Sequence, residues 1–165
     1  MDDTGRLERR MTTYYHFRQR HRNPGDIINP SMRSILETYM VGGNVNPWRL
    51  ATELAMEERR LVLAPKAVSR IDSNFVFFTE DDALTQVYRL GGSKFLFEVE
   101  FVDPTAPTFK ADFDLISKLF TSDDSPLLPK VKTMADPYWK GQINGTPELL
   151  TTSPLKVVRT VRTFA

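Results

Sequence analysis

A chain of 165 residues with net charge +1, 41% hydrophobic and 26% charged residues has the composition of one globular domain. It contains no cysteine and two histidines, which excludes a disulfide framework, a thiolate nucleophile, sulfur-bound zinc and a histidine-rich metal site. The near-neutral balance gives no global electrostatic case for nucleic acid or an anionic membrane.

Residues 1–11 read as a charged, flexible extension and 12–165 as the domain. Met1 to Arg10 lacks the apolar core of a secretory signal, and no apolar run approaches the roughly 20 residues that span a bilayer, so a cytoplasmic setting without membrane partners is expected. Thr12 to Phe17, β-branched and aromatic, predicts a strand. Asn23-Pro24-Gly25-Asp26 is a turn by residue chemistry, and Ile27-Ile28 a short strand. Residues 42–47 predict a loop ending in an Asn46 cap and Pro47 at the first helical position. From Trp48 to Leu63, Leu50, Leu54 and Leu61 recur at helical spacing, with Glu53, Glu57, Glu58, Arg59 and Arg60 assigned to the opposite face.

Asn74 to Thr79 predicts a buried strand. Glu80-Asp81-Asp82 then opens a helix through Tyr88, with acid at the positive end of its dipole and Gly91-Gly92 at its close. Phe95 to Phe101 is a further strand closed by Asp103-Pro104. Asp112 to Phe120 predicts a helix, Ser122 to Pro129 a loop, and Asp136 to Trp139 the start of another helical turn, with exposed aromatics near Trp139. Leu155 to Phe164 predicts the last strand. Five or six strands among three or four helices, without β-α alternation, give the α+β class in a single domain.

Three segments carry chemistry. In Tyr15-His16-Phe17-Arg18, a histidine at a strand end suits a ribose hydroxyl, and equally a surface position beside a turn. The aromatic strand Phe75 to Phe78 and the later Tyr88 offer rings for a flat heteroaromatic group, or simply core. Glu148, in Gly145 to Leu150, is either a solvated loop residue or a desolvated carboxylate aimed into a cleft, where electrostatics strengthen. Arg70 binds a phosphate or caps the core, since its fork suits both. Arg18, Arg20, His21 and Arg22 form a basic cluster that suits cofactor phosphates, an acidic or nucleic-acid target, or plain solvent.

Together and in this order, the segments resemble the ADP-ribosyltransferase superfamily, in its histidine-tyrosine-glutamate branch. Tyr15-His16-Phe17-Arg18 with Pro24-Gly25-Asp26-Ile27-Ile28 is similar to the Tyr-His-Gly-Thr and Pro-Gly-Asp-Leu-Ile layout of small rifamycin-modifying members. Phe75 to Glu80 leading to Tyr88 resembles the central motif. Glu148-Leu149-Leu150 with Pro154 to Val158 resembles the final one. Phe17-Arg18 departs from Gly-Thr, and Phe77 replaces the first stacking tyrosine.

The resemblance implies a split, mixed or antiparallel sheet with flanking helices, NAD as cofactor, and transfer of ADP-ribose to a protein, nucleic acid or small molecule. It also implies a plausible setting in bacterial or phage conflict, with an antitoxin or inhibitor as partner. Under it Glu148, His16 and Tyr88 are catalytic, and Tyr15, His16, Phe17, Arg18, Arg70, Phe77 and Tyr88 bind the cofactor; no metal is implied. Two alternatives are an RNA 2′-phosphotransferase-like enzyme and a catalytically silent module that binds a nucleotide or protein.

Overall fold

The computed structural model describes residues 12–43, 47–89, 94–119 and 125–165. Among these residues, seven strands form one antiparallel sheet: β1 (Tyr14–Arg18), β2 (Ile27–Ile28), β3 (Asn74–Phe77), β4 (Phe95–Phe101), β5 (Thr108–Asp112), β6 (Pro147–Thr151) and β7 (Leu155–Thr163). Their order across the sheet is β2-β7-β4-β1-β3-β6-β5. The helices are α1 (Met32–Glu37), α2 (Pro47–Leu63), α3 (Glu80–Gln86), α4 (Phe113–Leu119) and α5 (Leu127–Trp139). The protein is thus α+β. No helix among the described residues is long and apolar enough to cross a membrane. The extension 1–11, Asn46, Gly91-Gly92, and Phe120 with the 122–124 part of the expected loop lie outside the described residues.

Alternation along the strands divides the core into two. On one face Phe77, Leu96, Ala111 and Leu150 pack with Met56 of α2, Ile116 of α4, and Val131 and Tyr138 of α5. On the other, Ile28, Val76, Phe97, Val99, Leu149, Leu155 and Val157 close together, with Tyr14 stacked on Phe101 at 4.5 Å. The long β4–β7 ladder shifts register twice, beside Leu96/Phe97 and Glu98/Val99, and such shifts increase local twist.

Several elements follow from residue chemistry. Thr79 caps α3, its hydroxyl accepting from the Asp82 N–H at 3.1 Å, and three acidic residues occupy the first turn. The buried Asp112 carboxylate accepts the N–H groups of Asp114, Asn144 and Gly145, each at 2.9 Å, and so fixes the turn that feeds β6. A Cβ on Gly145 would run into the Asp112 and Asp114 carboxylates, which is why glycine stands there.

Five expectations are corrected. The aromatic-proline stretch Asp136 to Trp139 ends α5 instead of starting a helix, and the expected loop up to Pro129 already contains the first turn of α5. Pro129 is the third residue of that helix, where a missing N–H costs no intrahelical bond, so it does not mark a loop. Helix α2 is rotated from its apolar pattern: Leu54 and Leu61 are 55% and 57% exposed, whereas Glu53 and Arg60 are buried. Trp139 is buried, its indole N–H donating to the Met56 carbonyl at 2.8 Å. Glu148 lies in strand β6, in register with Phe77 of β3 and Ala111 of β5, and is no loop residue. Helix α1 and strand β5 had no counterpart in the pattern.

Candidate functional site

Strands β1 and β3 are sheet neighbours, yet they share a single Cα pair, Tyr15 with Phe77. Beyond that pair the ladder between them is interrupted, a split in the sheet's backbone pairing. The His16 side chain bridges that split. Its Nδ1 lies 2.6 Å from the Phe75 carbonyl oxygen, which can only accept, so Nδ1 carries the proton. The ring is neutral: burial, then the charge of Arg18, pushes its pKa down to about 4, against a smaller upward pull from the Phe75 bond. Nε2 therefore presents a lone pair, and it is buried without a partner. An unpaired buried acceptor costs about 1–3 kcal/mol and suits a ligand hydroxyl.

On the opposite face sits a buried charge network. Arg70 follows the Ser69 cap of a 3-10 turn (Arg70–Asp72). Its fork meets Glu53 of α2, Nε to Oε2 at 3.0 Å and Nη2 to Oε1 at 3.1 Å. Nη1 donates to Glu148 Oε1 at 3.0 Å and to the Tyr138 hydroxyl at 2.5 Å. Tyr138 in turn donates to Glu148 Oε1 at 2.6 Å. The guanidinium also lies over the Phe75 ring, 4.5 Å from its centroid.

Arg70 is aimed by its surroundings. Glu57 accepts from the Ser69 hydroxyl at 2.8 Å and from the Arg60 fork at 2.9 and 2.7 Å, and Arg60 also binds the Pro65 and Ala67 carbonyls. Those bonds tie the end of α2 to the 3-10 turn. Burial disfavours the Arg70 charge, but Glu53, Tyr138 and Glu148 outweigh it and hold the pKa well above the ordinary value. Burial raises the Glu148 pKa, with Arg70 and Tyr138 opposing and Glu53 adding to the rise. Burial outweighs the pull of Arg70, so Glu148 holds its proton more tightly than an exposed glutamate.

Tyr15, Phe77 and Glu148 thus form a row on the helix-covered face, with Arg70 against Glu148. His16 and Arg18 alternate onto the other face. Phe17 and Phe113 meet the buried Phe77 ring edge-on at 6.3 and 5.3 Å. Tyr88 is 95% exposed, in the turn after α3, and does not enclose that ring. Neither Glu53 nor Tyr138 was singled out as a site residue from the sequence. Glu53 looked like one of five solvent-facing charges, and no spacing rule links it to Arg70. No family model matches this chain, and no curated protein matches it.

Two outcomes follow for stability. Arg70→Met leaves two buried carboxylates without their cation and should destabilise the protein by about 3–5 kcal/mol, whereas Glu148→Gln keeps an acceptor for Tyr138 and Arg70 and should cost about 1 kcal/mol or less in urea unfolding. His16 binds its proton less tightly folded than unfolded. The stability it contributes is whole above pH 6.5 and falls away as pH drops toward 4, where the folded-state pKa lies, a change of roughly 3 kcal/mol. Urea titrations across that window should show the loss, and His16→Gln should flatten it.

Proposed function

We propose that this protein binds NAD at the divergence of β1 and β3 and cleaves its nicotinamide–ribose bond, transferring ADP-ribose to an acceptor. The observation that carries the reading is topological. Three segments separated by about sixty and seventy residues, bearing His16, Phe77 and Glu148, lie on the consecutive sheet neighbours β1, β3 and β6. The β1–β3 ladder is interrupted beside His16, whose buried Nε2 has no partner and suits a ligand hydroxyl. These features support the resemblance to ADP-ribosyltransferases, and the α+β antiparallel sheet is compatible with it.

The chemistry asks for few groups. As the bond breaks, its electron pair goes to the nicotinamide nitrogen and positive charge develops on the ribose, as in glycoside cleavage. The acceptor then attacks the anomeric carbon and loses its proton to water or a base. His16 accepts a hydrogen bond from a ribose hydroxyl and orients the cofactor. Tyr88, unrestrained at the surface, supplies a ring for nicotinamide. Glu148 stabilises the cationic sugar after exchanging its bond from Tyr138 for one from the reacting ribose.

The enclosure of two of these groups favours a second reading. Glu148 is 1% exposed and fully engaged at Oε1, and Phe77 is packed by Phe17 and Phe113. A domain that keeps the split sheet to hold a nucleotide, without turnover, would carry such a network.

Nicotinamide release decides between the two. Under the first reading the wild type releases nicotinamide, and Glu148→Gln lowers kcat by one to three orders of magnitude with little change in NAD affinity. His16→Gln mainly weakens binding. NAD binding without release selects the silent module, and absence of both contradicts either reading.

A further inference from the structure

Among the described residues, six arginines face a carboxylate. Arg33 meets Asp72, Arg59 meets Asp136, Arg60 meets Glu57, Arg70 meets Glu53 and Glu148, Arg159 meets Glu98, and Arg162 meets Glu80. Arg18 and Arg22 do not: among the described residues neither has an acidic group within ion-pair distance. Both Nε atoms are buried and lack a hydrogen-bond acceptor. Among the described residues the one hydrogen bond of the Arg18 side chain is a long one, Nη2 to the Asn29 carbonyl at 3.4 Å. The acid nearest in sequence, Asp26, accepts the Asn23 N–H at 2.8 Å. Burial, then the neighbouring charge of Arg22, lowers the Arg18 pKa.

Two guanidiniums that repel each other, each with a buried donor unused, are an arrangement that costs stability in the absence of an anion. His16 stands on the same strand and the same face as Arg18, 93% buried, with its Nε2 acceptor unused. Donors and positive charge beside a lone-pair acceptor match one ligand chemistry: an anion with several oxygens joined to a hydroxyl-bearing sugar. Planar arginine forks suit phosphate oxygens in pairs.

We infer that Arg18 and Arg22 bind the diphosphate of a nucleotide whose ribose hydroxyl is held by His16. The inference rests on the NAD reading above and deepens it, by assigning the phosphate contacts to the end of β1 and the loop after it.

Calorimetry and thermal shift on the full chain test the assignment with ADP-ribose, adenosine and a single-stranded RNA as probes. Arg18→Gln and Arg22→Gln should each weaken ADP-ribose at least tenfold and leave adenosine unchanged, while His16→Gln weakens both. The unliganded arginine variants should melt no lower than wild type, because they relieve repulsion without breaking an ion pair. Unchanged ADP-ribose affinity in both variants would overturn the assignment, as would a loss seen only with the RNA. The two proposals fail separately. Wild type that releases no nicotinamide but binds ADP-ribose through Arg18 and Arg22 removes only the transfer reaction. Release that continues with unchanged KM in both arginine variants removes only the phosphate site.

Discussion

One guanidinium joins three parts of this fold. Arg70 reaches from a 3-10 turn to Glu53 on α2, Glu148 on β6 and Tyr138 on α5, and lies over the Phe75 ring of β3. Taking so many polar groups from water is costly, and a well-packed apolar cluster of equal volume is often as stable. What the network supplies is geometry. It holds Glu53 of α2 inward while Leu54 and Leu61 face outward, and it ties Tyr138 near the end of α5 to β6. It also sets the position of Glu148, the one carboxylate that the motif order singles out for catalysis.

That network and the split in the sheet meet at β3. On one side of the strand Phe75 lies under the Arg70 guanidinium; on the other edge its carbonyl accepts the His16 Nδ1 proton. The side chain of His16 thus bonds the β3 backbone where the β1–β3 ladder is interrupted. Its neutral state follows from burial and then the charge of Arg18, and the Nδ1 bond to Phe75 leaves Nε2 as the nitrogen with the lone pair. An unpartnered buried acceptor on the same strand and face as Arg18, itself beside Arg22, is what distinguishes this place from an ordinary irregularity in a sheet. The alternation along β1, β3 and β6 places His16 and Glu148 on opposite faces of the sheet.

Much of the fold was legible because local chemistry and tertiary packing agreed. Phe95 to Phe101 forms a strand with those bounds, and Thr79 with three acids opens α3 as dipole and capping rules require. Failures came where the core accepted charge. Glu53 and Arg60 have no apolar character, so periodicity put them in solvent, and only long-range partners reveal their burial. Proline misled at 129 and 137 because its cost depends on helical position, which a residue count does not supply. For the site, the order of the three motif segments was visible, and their adjacency in the sheet is consistent with it. The face each side chain takes was not, since a shift of one residue in a strand reverses it. The engagement of Glu148 by Tyr138 depends on a contact between α5 and β6 that no spacing rule encodes.

The most direct test of the account is nitrogen NMR of the imidazole rings, with His16 and His21 told apart by substitution. At neutral pH, His16 should show a protonated Nδ1 and a bare Nε2, and the Nε2 signal should move toward its hydrogen-bonded position as NAD or ADP-ribose saturates the protein. Saturation that leaves the His16 Nε2 signal in place, or a ring protonated at Nε2 instead, would contradict the claim that the split at His16 is where the nucleotide binds.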